Sequence, residues 1–136
     1  MKYQWVSGAC GFVGRNLVKR ILKSNNDRII IVDNLSTGIH PDKWLSNPSE
    51  SLQDLAVYEN GRVYFFNGDF RVLLNKMTVN QNYIQDHYGL AFDKFTDVFH
   101  FAAIVGGRAK IDGDPMMVAI DLAIDAEFFY WVCNHK

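Results

Sequence analysis

The hydrophobic positions change period several times along the chain. Tyr3-Gln4-Trp5-Val6-Ser7 reads as a short strand, and Gly8-Ala9-Cys10-Gly11 after it is turn chemistry. From Phe12 the period becomes helical. Phe12, Val13, Leu17, Val18, Ile21 and Leu22 share one face, while Arg15, Asn16, Lys19, Arg20, Lys23 and Ser24 cover the other. Arg28-Ile29-Ile30-Ile31-Val32-Asp33 is then a continuous β-branched run, the pattern of a strand covered on both faces inside a parallel sheet. A polar connection over residues 34–61 holds Pro41 and Pro48. Short helical pieces are expected there around Lys43-Trp44-Leu45 and across residues 51–58.

Arg62-Val63-Tyr64-Phe65-Phe66-Asn67 predicts a third strand, with Gly68-Asp69-Phe70 as its exit. Residues 71–88 read as mostly helical, with Val72, Leu73, Met77, Tyr83 and Ile84 inward. Thr96-Asp97-Val98-Phe99-His100-Phe101-Ala102 predicts a fourth strand, followed by a loop containing Gly106-Gly107. Asp114-Pro115 is a good N-cap and first-turn pair for a last helix running to the end. Strands alternating with helices predict a three-layer α/β fold with a parallel sheet and right-handed crossovers. In such folds the loops at the carboxyl ends of the strands form the ligand crevice.

Composition narrows the function classes. The 136 residues carry 14 basic and 15 acidic side chains, which argues against a general nucleic-acid binder. No apolar run approaches the ~18 residues of a membrane span, and Met1-Lys2-Tyr3-Gln4-Trp5 is not a signal peptide. Cys10 and Cys133 form no scaffold or metal pattern, and His40, His87 and His135 lack metal-ligand spacing. The expectation is a cytoplasmic protein with free thiols, no metal, no nucleic-acid partner and no membrane.

Gly8, Gly11 and Gly14 stand three apart between a strand and an amphipathic helix. The first permits a tight exit, the second lets backbone approach a pyrophosphate, and the third lets the helix pack on the sheet. Amides around Phe12 and Val13 would then face the anion. No lysine sits where a P-loop needs one, which disfavours nucleoside triphosphate hydrolysis. Asp33 ends the second strand about 20 residues after the glycines, the spacing of an acid that binds a ribose. Its carboxylate would accept from the 2′- and 3′-hydroxyls and repel a 2′-phosphate, favouring NAD over NADP. Arg15 and Arg28 are cations that could soften that preference, and both read as solvated.

The spacing Gly-x-x-Gly-x-x-Gly, with Asp33-Asn34-Leu35-Ser36-Thr37-Gly38, Gly68-Asp69-Phe70 and His100-Phe101-Ala102-Ala103, resembles the extended short-chain dehydrogenase/reductase family. More narrowly it is similar to the NAD-dependent epimerases and dehydratases of nucleotide sugars, whose fold is Rossmann-like. The resemblance implies that the Phe12 and Val13 amides meet the pyrophosphate and that Asp33, Asn34, Ser36 and Gly38 surround the adenosine ribose. It implies an adenine contact from Asp69 and a backbone amide from Phe70, with Ala102 and Ala103 lining the cofactor. Val105, Gly106, Gly107 and Arg108 would lie on the substrate side, Arg108 near a sugar nucleotide's phosphates. His100 reads as a satisfied structural histidine, and Cys10 as a small residue suited to the turn.

The family's chemistry needs a tyrosine with a lysine four residues later. Ser7, Arg62, Gly68, His87, Phe92 and Asn134 follow the six tyrosines at that distance, so this sequence holds no catalytic residue of that type. Residues 1–136 therefore read as a partial NAD-binding domain, truncated after about four strands and the following helix, and inactive alone. The catalytic segment and a C-terminal substrate region would be missing. The alternative is a non-catalytic NAD(P)-binding module acting as a sensor or a partner-dependent subunit. The last helix is apolar from Met116 to Cys133 except for a narrow acidic edge, which predicts self-association through it or through an open sheet edge.

Overall fold

A computed structural model describes residues 1–103 and 112–135. It contains strands β1 (Tyr3–Ser7), β2 (Arg28–Asp33), β3 (Ser49–Leu52), β4 (Leu55–Tyr58), β5 (Val63–Asn67) and β6 (Phe95–His100). Helices are α1 (Phe12–Ser24), α2 (Phe70–Val79), α3 (Tyr83–Tyr88) and α4 (Pro115–Asn134), with a 3-10 turn at Pro41–Lys43. The sheet order is β3-β4-β5-β2-β1-β6. Pairings β5-β2, β2-β1 and β1-β6 are parallel. These four strands are the four expected ones, and the chain reverses its direction of travel across the sheet between β1 and β6. Such a reversal opens a crevice at the carboxyl ends.

The connection over residues 34–61 departs from expectation. Residues 51–58 contribute to a hairpin, β3-β4, which pairs antiparallel with β5 and makes the sheet mixed. Leu52, Leu55 and Ala56 fit a helical stripe, but Leu55, Val57 and Tyr58 are buried against an edge that would otherwise stay open. Tertiary pairing overrides the local period there. The expected helix around Lys43-Trp44-Leu45 reduces to the 3-10 turn, preceded by His40, whose ring nitrogen accepts from the Asp42 amide. The helix expected over 71–88 breaks at Asn80, whose amide caps α2 and whose side chain accepts from the Asn82 amide. β6 begins one residue early and ends at His100, before Ala102.

The two central strands are buried on both faces, from Trp5 and Val6 to Ile29, Ile30, Ile31 and Val32. One face packs Val6, Ile29, Ile31 and Phe65 with Val18 and Ile21 of α1. Alternate residues Trp5, Ile30, Val32 and Tyr64 point to the other face. The crossover β1-α1-β2 and the crossover from β5 to β6 run in opposite directions across the sheet, and right-handed connections, the rule for parallel strands, put their helices on opposite faces. That is the three-layer arrangement. Phe12 and Val13 are not core residues: their side chains are 76% and 56% exposed at the start of α1.

The chain divides into two compact units, the first being Met1–Phe101 and the second beginning at Ala102. In the second, Asp114 caps α4 by accepting from the Met117 amide at 3.3 Å. Phe128 and Trp131 are buried, whereas Met116, Leu122, Phe129 and Tyr130 are exposed. No helix among the described residues is long and apolar enough to cross a membrane.

Candidate functional site

The carboxyl ends of β1, β2, β5 and β6 converge through backbone bonds. The Gly8 amide donates to the Val32 carbonyl at 2.8 Å, and the Gly68 amide donates to the Asp33 carbonyl at 2.9 Å. The Phe101 amide donates to the Ser7 carbonyl at 2.7 Å. The Ser7 hydroxyl lies 2.7 Å from His100 Nδ1, and the Phe70 ring meets the His100 imidazole edge-on at 5.1 Å. His100 is thus a tie between β1, β6 and α2, as its sequence context suggests.

The three glycines do different work. Gly8 takes a left-handed conformation, φ 71°, at the strand exit. A Cβ on Gly14 would lie 2.5 Å from the Gly8 carbonyl oxygen and 2.7 Å from Ala9 Cα, so only glycine lets α1 sit on β1 this closely. Gly11 is different, because its Cβ would find only the Gly8 carbonyl at 3.5 Å, an ordinary contact. Nothing inside the described protein requires glycine at position 11, and what remains is room on the outer side. Helix α1 also starts with no side-chain cap and no acid in its first turn. Its first amides face the end where an anion is stabilised by the helix dipole.

Asp33 is held against this turn. Its Oδ2 accepts from the Cys10 amide at 2.9 Å, and its Oδ1 accepts from the Leu35 amide at 2.8 Å. A carboxylate has about four acceptor positions, so two partners leave capacity for a pair of hydroxyls. Leu35 reaches Asp33 by adopting φ 61°, an uncommon conformation for a branched residue. Gly38 closes the loop: a Cβ there would stand 2.7 Å from Cys10 Cβ and 3.2 Å from Asp33 Oδ1. Asn34 and Ser36 are exposed, and Asn34 Oδ1 accepts from the Ser36 amide at 3.0 Å.

The two cations behave otherwise than their sequence positions suggest. Arg15 is not simply solvated: its guanidinium donates to the Cys10 carbonyl at 2.7 Å. Arg28 opens β2 at the end opposite Asp33 and donates to the Tyr3 hydroxyl at 2.9 Å, which removes it from the site. The Cys10 thiol is fully buried, and burial together with the Asp33 charge pushes its pKa up to about 12. It stays protonated and serves packing.

Asp69 caps α2, accepting from the Arg71 amide at 2.9 Å. The Arg71 guanidinium grips both its oxygens, the nearest contact being 2.6 Å, and holds the carboxyl below the usual carboxylate range. An adenine amino group reaching Asp69 would share it with Arg71. The Ile39 amide donates to the Cys10 carbonyl at 3.0 Å. Arg71 and Ile39 are participants that the sequence pattern does not reveal, and Arg15, read from the sequence as a solvated cation, is a third whose partner it does not show. An aspartate before a helix is a legible cap, but the side-chain clamps act across turns and leave no periodic signal. Phe70 begins α2 with its ring buried. Ala102 and Ala103 follow β6 in the second unit without regular structure. Val105, Gly106, Gly107 and Arg108 lie outside the described residues. Among the described residues no cluster of His, Cys, Asp and Glu could hold a metal ion.

The sequence matches no protein-family model and no curated protein. Solved structures do share the fold. The Bordetella bronchiseptica enzyme WbmF in complex with NAD+ superposes with a TM-score of 0.63 at 24% identity, over 99% of this chain and 33% of WbmF. WbmF in complex with NADH gives the same TM-score and identity, covering 32% of that chain. WbmH of the same organism, in complex with NAD+, gives 0.52 at 20% identity over 86% of this chain and 31% of its own. The chain thus spans about a third of the length of these enzymes. Its described architecture is a Rossmann-like α/β fold with the crevice-forming ends of four parallel strands gathered around Asp33 and the glycine turn.

Proposed function

We propose that this chain is the NAD-binding N-terminal part of a nucleotide-sugar epimerase or dehydratase. The observation that carries the reading is the placement of Asp33, whose Oδ2 sits 2.9 Å from the Cys10 amide inside the glycine turn. A ribose acceptor and a phosphate-facing helix start are thereby set side by side, as a dinucleotide needs. With the Cys10 amide taken by Asp33, the Phe12 and Val13 amides in the first turn of α1 would meet the pyrophosphate. The exposed side chains of both leave that end accessible. Asn34, Ser36 and Gly38 would border the ribose, and Asp69 and Phe70 the adenine. Ala102 and Ala103 would line the cofactor, and Gly106, Gly107 and Arg108 would serve the substrate side.

NAD, when bound, supplies a hydride acceptor for a sugar carbon in the parent reaction. The residues of this chain bind and orient it. The nucleotide-sugar reading rests on the four sequence motifs, and the WbmF and WbmH complexes support the cofactor. The tyrosine–lysine pair that moves the proton does not occur in these 136 residues. The chain alone therefore turns over no nucleotide sugar. We place it in the cytoplasm and expect it to self-associate through α4 or the β6 edge.

Calorimetric titration tests the cofactor assignment. The chain should bind NAD at least tenfold more tightly than NADP, because a 2′-phosphate beside Asp33 places like charges within a few ångströms. Asp33→Ala should weaken NAD more than NADP. Equal losses, or no binding of either by the unaltered chain, would sink the assignment. A native NAD-binding chain that needs no further segment for its physiological role would favour the sensor module instead.

A further inference from the structure

The polar face of α1 holds Arg15, and the tertiary structure turns it toward the glycine loop. Three bonds meet on the backbone of one residue, Cys10. Its carbonyl accepts from the Arg15 guanidinium at 2.7 Å and from the Ile39 amide at 3.0 Å. Its amide donates to Asp33 Oδ2 at 2.9 Å. Its side chain fills the space beside Gly38, where a Cβ would come within 2.7 Å. The turn facing the phosphates and the loop over residues 34–39 are therefore joined at Cys10. Arg15 is the cationic member of that joint, opposite the Asp33 carboxylate, and its bond is the shortest of the three.

We propose that Arg15 is a positioning residue for NAD, fixing the Cys10 backbone so that the carboxylate of Asp33 and the phosphate-facing turn keep one relative geometry. This rests on the NAD-binding reading. A dinucleotide engages ribose and pyrophosphate together, so an error in their spacing costs affinity even when each subsite is intact. A guanidinium holds a carbonyl by a planar fork of several N–H groups, whereas an ammonium offers a point donor on a flexible stem. Replacement by lysine should therefore retain part of the function, and replacement by methionine should retain only the apolar stem. The site is on a helix surface, half-buried, so neither change threatens the core.

The experiment pairs calorimetry with amide hydrogen exchange on the full chain. Arg15→Met should raise the Kd for NAD about tenfold, and Arg15→Lys should recover at least half of that loss on a logarithmic scale. In an Asp33→Asn background, removing Arg15 should change the Kd less than twofold, because the two residues act through one joint. Without any nucleotide, the Leu35 and Ile39 amides should exchange faster in Arg15→Met while Ile30 and Val32 keep their protection. Additive losses in the double variant would mean that Arg15 meets the phosphates directly and would overturn the proposal. So would unchanged exchange at Leu35 and Ile39. If the unaltered chain binds NAD and Arg15→Met binds it equally well, the positioning role alone fails. If the unaltered chain binds no NAD, both readings fail.

Discussion

Gly11 and Gly14 separate folding from binding at the scale of single residues. At Gly14 an added Cβ meets backbone oxygen at 2.5 Å, and backbone has no rotamer with which to yield. Gly14→Ala should lower stability by about 2 kcal/mol or more, the range of forced overpacking. At Gly11 the backbone is ordinary, φ −74°, and the nearest heavy atom to a Cβ stands at 3.5 Å. Gly11→Ala should leave stability unchanged or raise it by about 0.5 kcal/mol, since alanine restricts the unfolded chain. Its NAD affinity should nevertheless fall at least tenfold, because the methyl occupies the space of approach. Denaturant titration and calorimetry on both variants check the contrast. A Gly11→Ala chain that binds NAD normally would remove the close-approach role. The glycines and Asp33 are legible in the sequence because backbone needs and strand ends have fixed spacings. Arg15 and Arg71 are not, because their partners are set by how loops fold over the strand ends.

The scale of elements shows where a period misleads. The buried strands β1 and β2 and the amphipathic α1 follow from local pattern, since each satisfies its own period and its place in the sheet. Residues 51–58 satisfy a helical stripe, yet they give most of a hairpin because β5 needs a partner on its outer side. What the pattern misses is turn chemistry without glycine. Gln53 adopts φ 57° between Leu52 and Leu55, which face each other across the hairpin. Asp54, beside it, accepts from the Tyr88 hydroxyl at 2.7 Å and so ties the hairpin tip to α3. Glutamine rarely signals a left-handed residue, whereas asparagine tolerates that conformation well. Gln53 is exposed, so Gln53→Asn should raise stability by about 0.5 kcal/mol by relieving the backbone alone. Thermal melting of the variant measures this. A lower melting temperature would show that the glutamine side chain contributes more than its conformation costs.

At the scale of the whole molecule, α4 is the element with the most exposed large apolar side chains. Its 20 residues include Val118, Leu122 and Phe129, spaced four and seven apart along one side, and these are 45%, 73% and 60% exposed. Tyr130 and Met116 are each 70% exposed on other sides. Apart from Asp121, Asp125 and Glu127 the helix is apolar from Met116 to Cys133, and such a helix is ordinarily buried on more than one side. Among the described residues β6 adds a second open feature, pairing on one side only, with β1. The apolar area of α4 is the stronger drive, since each large side chain withdrawn from water contributes about 1.5–3 kcal/mol. Strand edges mainly add register. The sedimentation coefficient should therefore rise with concentration across the micromolar range, and Leu122→Lys with Phe129→Lys should return the chain to a monomer. Both positions are exposed, so the charged pair is tolerated by the fold, and unchanged far-UV circular dichroism would confirm that. If the doubly charged variant still associates while retaining its structure, the β6 edge is the seat of assembly. A monomer at every concentration in the unaltered chain would show that neither surface drives association.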